Sequence, residues 1–354
     1  MSEKEIFYFD AWYVAGFTAD FTDELVGITM LDQPLCLFRK PDGAMAAISD
    51  VCPHRFAPLH QGVLKGEAVS CPYHGLEFDA QGKCVHNPHG TGRIPPRSSI
   101  RAYPVAERGG VVWVWMGDAA KADEDEIPSL DLIGGEDHPR VTGYSLTPAE
   151  YRLVIDNLLD LNHAPYLHSG TLSPVGDTRE TTSERGDRYA ASHYLMRSIE
   201  TPLSQQRWFD EPTGDYHISM RWFAPTTLLQ TIAMTGEGKP IETGARTHGA
   251  HLLTPRDDKS THYFWIMTRN RIVDDREADA HLKRIIDNAF QTEDGPMLAA
   301  CQSNMRGREF ADMHPLFLET DAAPGHARSV LSRLLSAQVS DDDRSTPQLE
   351  GAEA

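Results

Sequence analysis

Cysteine is scarce. Cys36, Cys52, Cys71, Cys84 and Cys301 are all that 354 residues contain, which is no disulfide framework and fits a reducing compartment. A cysteine kept there is a candidate metal ligand. Cations are also short: 33 lysines and arginines face 52 acids, so the formal charge of −19 repels polyphosphates and argues against a nucleic-acid partner. Long apolar runs are missing, none approaching the ~18 residues of a membrane span. The opening MSEKEIFYFDAWYVAG sets acids where a secretory signal needs cations, so the expected location is cytoplasmic, with no membrane. Internal repeats are absent as well.

The length exceeds what one core needs and predicts two domains. Residues 1–120 read as short strands and turns, with Gly27 to Arg39, Ala44 to Ser49 and Gly110 to Trp115 as strands and Pro41-Asp42-Gly43 as a turn. Residues 121–140, with few apolar side chains, two prolines and Gly134-Gly135, read as an acidic linker. A second domain spans 141–337. Its first helix is expected after Thr147 as cap, Pro148 in the first turn and Glu150 completing a capping box. Strands follow over Tyr189–Arg197, Tyr216–Trp222, Thr226–Met234, Thr247–Thr254 and His262–Thr268, which make an antiparallel sheet the economical fold. From Asp274 to Met305 the apolar spacing is helical, with Gly295-Pro296 predicted to kink or split the run, and His326 to Ala337 form a last amphipathic helix. Residues 338–354 read as a disordered acidic tail. The fold class is α+β.

The strongest signal is Cys52-Pro53-His54-Arg55 and then, with sixteen residues between His54 and Cys71, Cys71-Pro72-Tyr73-His74-Gly75. Two thiolates can hold one iron of a [2Fe–2S] cluster while two neutral imidazoles hold the other, a replacement that raises the reduction potential. A structural zinc site uses the same four residues, but zinc fingers usually order them Cys-Cys then His-His. Cys84 has no paired histidine and reads as core; His60, His86 and His89 read as surface or packing residues.

A second cluster lies in Asn157-Leu158-Leu159-Asp160-Leu161-Asn162-His163-Ala164-Pro165-Tyr166-Leu167-His168. Asn157, Asp160 and His163 recur every three residues on one helix face. His163 and His168 are five apart, about 140° on an ideal helix, so both reach one metal only if the helix is distorted, and Pro165 supplies a cause. Alone the pair favours packing roles. Beside an electron-delivering cluster it suggests a two-histidine, one-carboxylate Fe(II) site that activates O2. The carboxylate is sought in Phe290-Gln291-Thr292-Glu293-Asp294, where composition leaves Glu293 and Asp294 open. For Asp160 a solvated helix carboxylate is the competing explanation, and for His251 a solvent-facing strand position.

The Cys-x-His and Cys-x-x-His segments, and CPYHGLEFDAQGKCVHNPHGTG over residues 71–92, resemble Rieske non-haem iron oxygenases of the dicamba and vanillate O-demethylase oxygenase-component family. The resemblance runs from Trp12 to Leu335. It implies an N-terminal all-β Rieske domain and a C-terminal helix-grip-like domain holding mononuclear iron. On it, Cys52 and Cys71 hold one cluster iron and His54 and His74 the other; Phe56 stands where many relatives have glycine. His163, His168 and Asp294 become the mononuclear ligands, Asn157 a near-iron group short of full ligation, and Asp160 the link between His74 of one subunit and His163 of the next within a homotrimer. His251 and Gln230 match positions facing an aromatic acid, Gln230 where asparagine is expected; Ile285 replaces an expected aromatic residue.

The implied activity is a monooxygenase that O-demethylates a methoxybenzoate- or vanillate-like ether, releasing formaldehyde and a phenol. Hydroxylation of a ring, a benzylic methyl or an N-methyl group is the alternative, and a Rieske electron carrier or redox sensor the non-enzymatic one. No dinucleotide-binding glycine fingerprint and no plant-type ferredoxin spacing occurs, so NAD(P)H is expected to contribute only through a separate reductase or ferredoxin.

Overall fold

The computed structural model describes residues 6–134, 139–168, 172 and 180–345. Before residue 120 the strands are β1 (Ala11–Phe17), β2 (Val26–Met30), β3 (Gln33–Arg39), β4 (Met45–Ser49), β5 (Val63–Lys65), β6 (Ala68–Ser70), β7 (Glu77–Asp79), β8 (Cys84–His86), β9 (Ala102–Tyr103), β10 (Val105–Arg108) and β11 (Val111–Met116). They form three small sheets, ordered β1-β11-β10, β2-β3-β4-β9 and β5-β6-β7-β8. The stretch expected as one strand from Gly27 is a hairpin. Leu31 and Asp32 both take positive φ, +52° and +61°, and pair Met30 with Gln33 across a two-residue turn.

The second domain contains β12 (Val141–Thr147), helix α1 (Tyr151–Leu159), the single turn α2 (Ala164–Leu167), β13 (Glu180–Gly186), β14 (Tyr189–Glu200), β15 (Thr213–Phe223), β16 (Thr227–Thr235), β17 (Ala245–Asp257) and β18 (Ser260–Arg269). Helix α3 (Arg276–Asn288), a π turn over Ala289–Asp294, α4 (Gly295–Met305) and α5 (Ala322–Ser345) follow. The strands make one antiparallel sheet ordered β12-β18-β17-β16-β15-β14-β13.

Alternation along β17 and β18 buries both faces of this sheet. Leu253, Tyr263, Trp265 and Met267 join the core under α1, α3 and α5, while Ala250, Leu252, Phe264 and Ile266 pack with Trp12, Trp113 and Trp115 of the first domain. The same second core takes in Ile127, Leu130 and Ile133. The segment expected as a linker is therefore docked over 121–134, and three well-spaced apolar residues suffice to hold it. Asp118 and Asp123 cap its short turns, and the indoles of Trp115 and Trp12 donate to their carbonyls at 2.8 and 2.7 Å. Residues 135–138 of the expected linker lie outside the described residues.

Two boundaries differ from expectation. Thr147 does not cap a helix. It ends β12 opposite Thr261, and the helix begins four residues later with Glu150 as N-cap, whose N–H donates to Gln302 Oε1 at 2.8 Å. The strand ladder claims Thr147 first. The last helix runs to Ser345, past the expected tail start at 338, because Val330, Leu331 and Leu335 bury against the core and Gln338 bonds Phe9 N–H and the Phe7 carbonyl. Residues 346–354 lie outside the described residues. Among those described, no helix is long and apolar enough to cross a membrane.

Candidate metal centres

The first centre is built on two loops of matched backbone. Before β5, Phe56 N–H bonds the Cys52 carbonyl and Cys52 N–H the Ala57 carbonyl; between β6 and β7, Gly75 N–H bonds the Cys71 carbonyl and Cys71 N–H the Leu76 carbonyl. Phe56 at φ +60° occupies the place of Gly75 at φ +72°, so the first loop accepts a left-handed phenylalanine where glycine is unstrained. Its ring is 77% exposed.

Cys52 and Cys71 are buried, while the rings of His54 and His74 lie toward the surface with centroids 4.4 Å apart. Burial pushes the Cys52 thiol up to about 11, against the His54 N–H that favours its thiolate, and a metal bound there would ionise it. Desolvation, then the nearby His54, holds His74 below the ordinary imidazole range and therefore neutral, as ligation needs. Two soft thiolates inside and two neutral imidazoles outside fit an asymmetric [2Fe–2S] cluster. His89, expected as a surface or packing residue, donates from Nε2 to the His74 carbonyl at 2.8 Å and braces the second loop.

At the second centre the chain solves the five-residue step without bending a helix around Pro165. Helix α1 stops at Leu159, Asp160 turns the chain by accepting Asn162 N–H at 2.9 Å, and α2 then holds His163 at one end and His168 at the other, with Pro165 in its first turn. The two Nε2 atoms are 3.2 Å apart. Asp294 reaches them from the π turn, Oδ1 at 3.5 Å from His163 and Oδ2 at 3.3 Å from His168, and all three ligand atoms fall within 4.8 Å of one another.

Both imidazoles are oriented as ligation would require. His163 Nδ1–H donates to the Asp160 carbonyl, and His168 Nδ1–H to Glu293 Oε2 at 2.6 Å, leaving each Nε2 lone pair aimed at the shared point. Two lone pairs and a carboxylate converging in a buried site call for a cation, so the donor set fits mononuclear iron. Burial alone would lower the His168 value, but the hydrogen bonds and charge of Asp294 and then Glu293 raise it. Asn157 Nδ2 donates to Asp294 Oδ1 at 2.9 Å and orients that ligand.

The π turn makes this reach possible. Gly295 N–H bonds the Phe290 carbonyl five residues back, and the wider turn lets the adjacent Glu293 and Asp294 engage opposite edges of one imidazole. Sequence posed these two carboxylates as alternatives; both are used, in different roles. Within one chain the backbone carbonyl of Asp160 fixes His163, while its carboxylate accepts Asn162 N–H.

Residues 11–104 match the family described as the Rieske [2Fe-2S] domain, and residues 147–337 that described as the vanillate O-demethylase oxygenase C-terminal domain. The chain belongs to the Rieske non-haem iron oxygenases of the vanillate O-demethylase type. This Rieske oxygenase is 36% identical over 328 residues to the dicamba O-demethylase oxygenase component of Stenotrophomonas maltophilia, covering 89% of this chain and 94% of that one. It is 36% identical over 344 residues to the chloroacetanilide N-alkylformylase oxygenase component of Rhizorhabdus wittichii, covering 94% and 97%. A crystal structure of dicamba monooxygenase bound to 3,6-dichlorosalicylic acid superimposes with a TM-score of 0.89 at 35% identity, covering 94% of this chain and 99% of that one. Its cofactors are accordingly a Rieske [2Fe–2S] cluster and a non-haem iron.

In this oxygenase the mononuclear site opens on a cavity lined by Leu158, Leu161, Tyr194, Tyr216, Ile218, Met220, Gln230, Ile232, Ile286 and Phe290. Gln230, a substrate-facing position on the resemblance, lines this cavity. Ile285 is not among the lining residues; Leu282, Ile286 and Phe290, four apart, form the inward stripe, and that periodicity was the available signal. His251 is fully buried rather than solvent-facing, its ring 5.7 Å from that of Phe290. Among the described residues the lining has no lysine or arginine.

Proposed function

We propose that this oxygenase removes the methyl group of an aromatic methyl ether of the methoxybenzoate class, using O2 and electrons from a separate reductase or ferredoxin. The observation that carries the reading is the placement of a largely apolar, aromatic-lined cavity directly on the open side of His163, His168 and Asp294. Iron held there with open positions supplies O2 activation by electrons from the cluster. The chain does the rest. Apolar walls orient the ring and exclude water, Gln230 offers the polar contact, and the Asp160 carbonyl and Glu293 keep both histidines in the ligating tautomer. The methoxy carbon gains one oxygen of O2; the hemiacetal loses formaldehyde and leaves the phenol, while two electrons and two protons carry the second oxygen to water.

Assembly belongs to the same reading. Within one chain His74 contacts His54, Tyr73 and His89, whereas Asp160 contacts Asn162 and His163. A trimer that brings the two together is supported by opposed surfaces. Arg55, Arg93 and Arg97 with Phe56 and Tyr73 are exposed at the cluster, and Leu316, Phe317, Leu318 and Glu319 are exposed beside the groove that reaches Asp160. The expected mass is about three times 39.4 kDa. The free thiols support a cytoplasmic setting.

Anaerobic reconstitution followed by a methoxybenzoate screen with a surrogate reductase tests the activity: formaldehyde and phenol in equal amounts support it, and a cis-diol or retained methoxy group rejects it. A second reading, cleavage of an N-alkyl group, is favoured by the equal identity to the N-alkylformylase and by the absence of a cation among the described residues of the lining. Anilides belong in the same screen.

A further inference from the structure

The two cluster loops match in backbone but differ at their bases. Behind Cys71 and Leu76 the chain continues as the β6–β7 ladder, with Ser70 opposite Glu77 and Val69 opposite Phe78. Behind Cys52 and Ala57 stands one isolated bridge, Val51 to Pro58, and proline has no N–H with which to extend it. Asp50 takes over. Its carbonyl accepts Leu59 N–H at 2.9 Å, and its carboxylate accepts His60 N–H at 2.7 Å and His60 Nδ1–H at 2.6 Å. Both oxygens accept, which is the pattern of an ionised carboxylate. His60, read from sequence as a surface or packing residue, is thus the clasp of the first loop.

The carboxylate of this clasp is buried beside the cluster core. The Asp50 side chain is 7% exposed, against 34% for His60. Gly27 of β2 makes room for the imidazole, since a Cβ there would lie 2.5 Å from His60 Cγ and Nδ1. Gly27 pairs with Cys36 of β3, and Cys36 shares one core with Cys52 and Cys71. Burial, followed by the Asp50 charge, pushes the Cys36 thiol far up, so the field of this carboxylate reaches the core that holds the cluster thiols. A fixed negative charge in such a core opposes the arrival of an electron, and a donor aimed at that charge weakens its field.

We propose that the Asp50–His60 pair sets the reduction potential of the [2Fe–2S] cluster: the Asp50 carboxylate holds it low, and His60 limits that effect while closing the Cys52–His54 loop. A lower potential favours the step in which one electron leaves the reduced cluster and the mononuclear iron gains it. The inference rests on the two cofactors of the family. It is independent of whether the substrate is an ether or an anilide.

Midpoint potentials of the reconstituted holoenzyme, followed through the cluster's visible spectrum at one fixed pH, test the proposal without turnover. Asp50→Asn removes the charge and is expected to raise the potential, by about tenfold in the one-electron equilibrium, which is ~59 mV. His60→Phe removes the ring donor, leaves the backbone N–H in place and is expected to lower it. Gly27→Ala alters neither partner but displaces the ring, so its shift is expected to follow that of His60→Phe. Opposite signs from the two halves of one contact are the signature of a field. A clasp that only holds the loop would lower iron and sulfide content in all three variants and leave the potential of the remaining clusters unchanged. That result, or shifts of one sign in all three, would overturn the proposal. If Asp50→Asn retains no cluster, the other two variants decide: a lowered potential in both supports the pair, and an unchanged or raised one rejects it.

Discussion

Glu293 and His168 are joined by a 2.6 Å hydrogen bond from Nδ1–H to Oε2, and Asn288 Nδ2 holds the other carboxylate oxygen at 3.0 Å. The His168 nitrogen that faces Asp294 is thus positioned by a residue next to Asp294 in sequence. Glu293→Gln keeps the size but loses the charge. It is expected to lower mononuclear iron affinity about 10- to 100-fold while the cluster's visible spectrum is unchanged. Iron titration of the cluster-loaded protein checks this; unaltered affinity would show the bond to be incidental.

The two centres are expected to be separable. His163→Ala should retain the cluster and its colour, lose the mononuclear iron and abolish substrate-dependent O2 uptake. Cys71→Ser should bleach the cluster yet leave His163, His168 and Asp294 able to take up Fe(II), since the two ligand sets lie on different domains. Metal and sulfide analysis distinguishes these outcomes, and O2 uptake surviving His163→Ala would return the chain to an electron-carrier role.

Gly295 sits where a Cβ would approach the Phe290 carbonyl oxygen at 2.9 Å, the acceptor of the bond that closes the π turn. Gly295→Ala should cost about 1–3 kcal/mol of stability and, by shifting Asp294, weaken iron binding more than an exposed glycine change such as Gly238→Ala. Denaturant melts and iron content measured together provide the test. Loss of stability without loss of iron would separate the turn from the site.

The sign of the pH response depends on whether iron is bound. In the metal-free protein burial lowers His168, but Asp294 and Glu293 prevail and raise it. A raised folded value contributes stability that is full below the unfolded imidazole value of about 6.5 and fades as pH rises through the folded one. Ligation requires the deprotonated ring, so iron affinity must climb over the same window. Thermal melts of metal-free protein and anaerobic iron titrations, each from about pH 6 to about pH 8, are expected to slope in opposite directions. Parallel slopes would contradict the assignment.

Phe56 takes a left-handed conformation that costs a non-glycine residue about 1–2 kcal/mol, which glycine's extra unfolded-chain entropy of about 0.5–1 kcal/mol partly offsets. Phe56→Gly should therefore leave the melting point level or slightly raised while removing an exposed ring from the expected subunit contact. A lower trimer fraction by sedimentation, at unchanged stability, is the expected result.

The cluster ligands were legible in the chain because each Cys–His pair occupies one short turn, where local backbone geometry places both side chains and little else intervenes. His163 and His168 were legible for the same reason, although the means was not: the helix ends and restarts, and no bend at Pro165 is needed. What only the tertiary structure decided involves partners far apart in sequence. Glu293 against His168 and Asn157 against Asp294 depend on how the helices are packed, and no local pattern encodes a contact across 125 or 137 residues. The choice between Glu293 and Asp294 turned on helix phase, which one π turn resets by about a residue. Sequence determined which atoms can bind iron; packing determined which lone pairs face it.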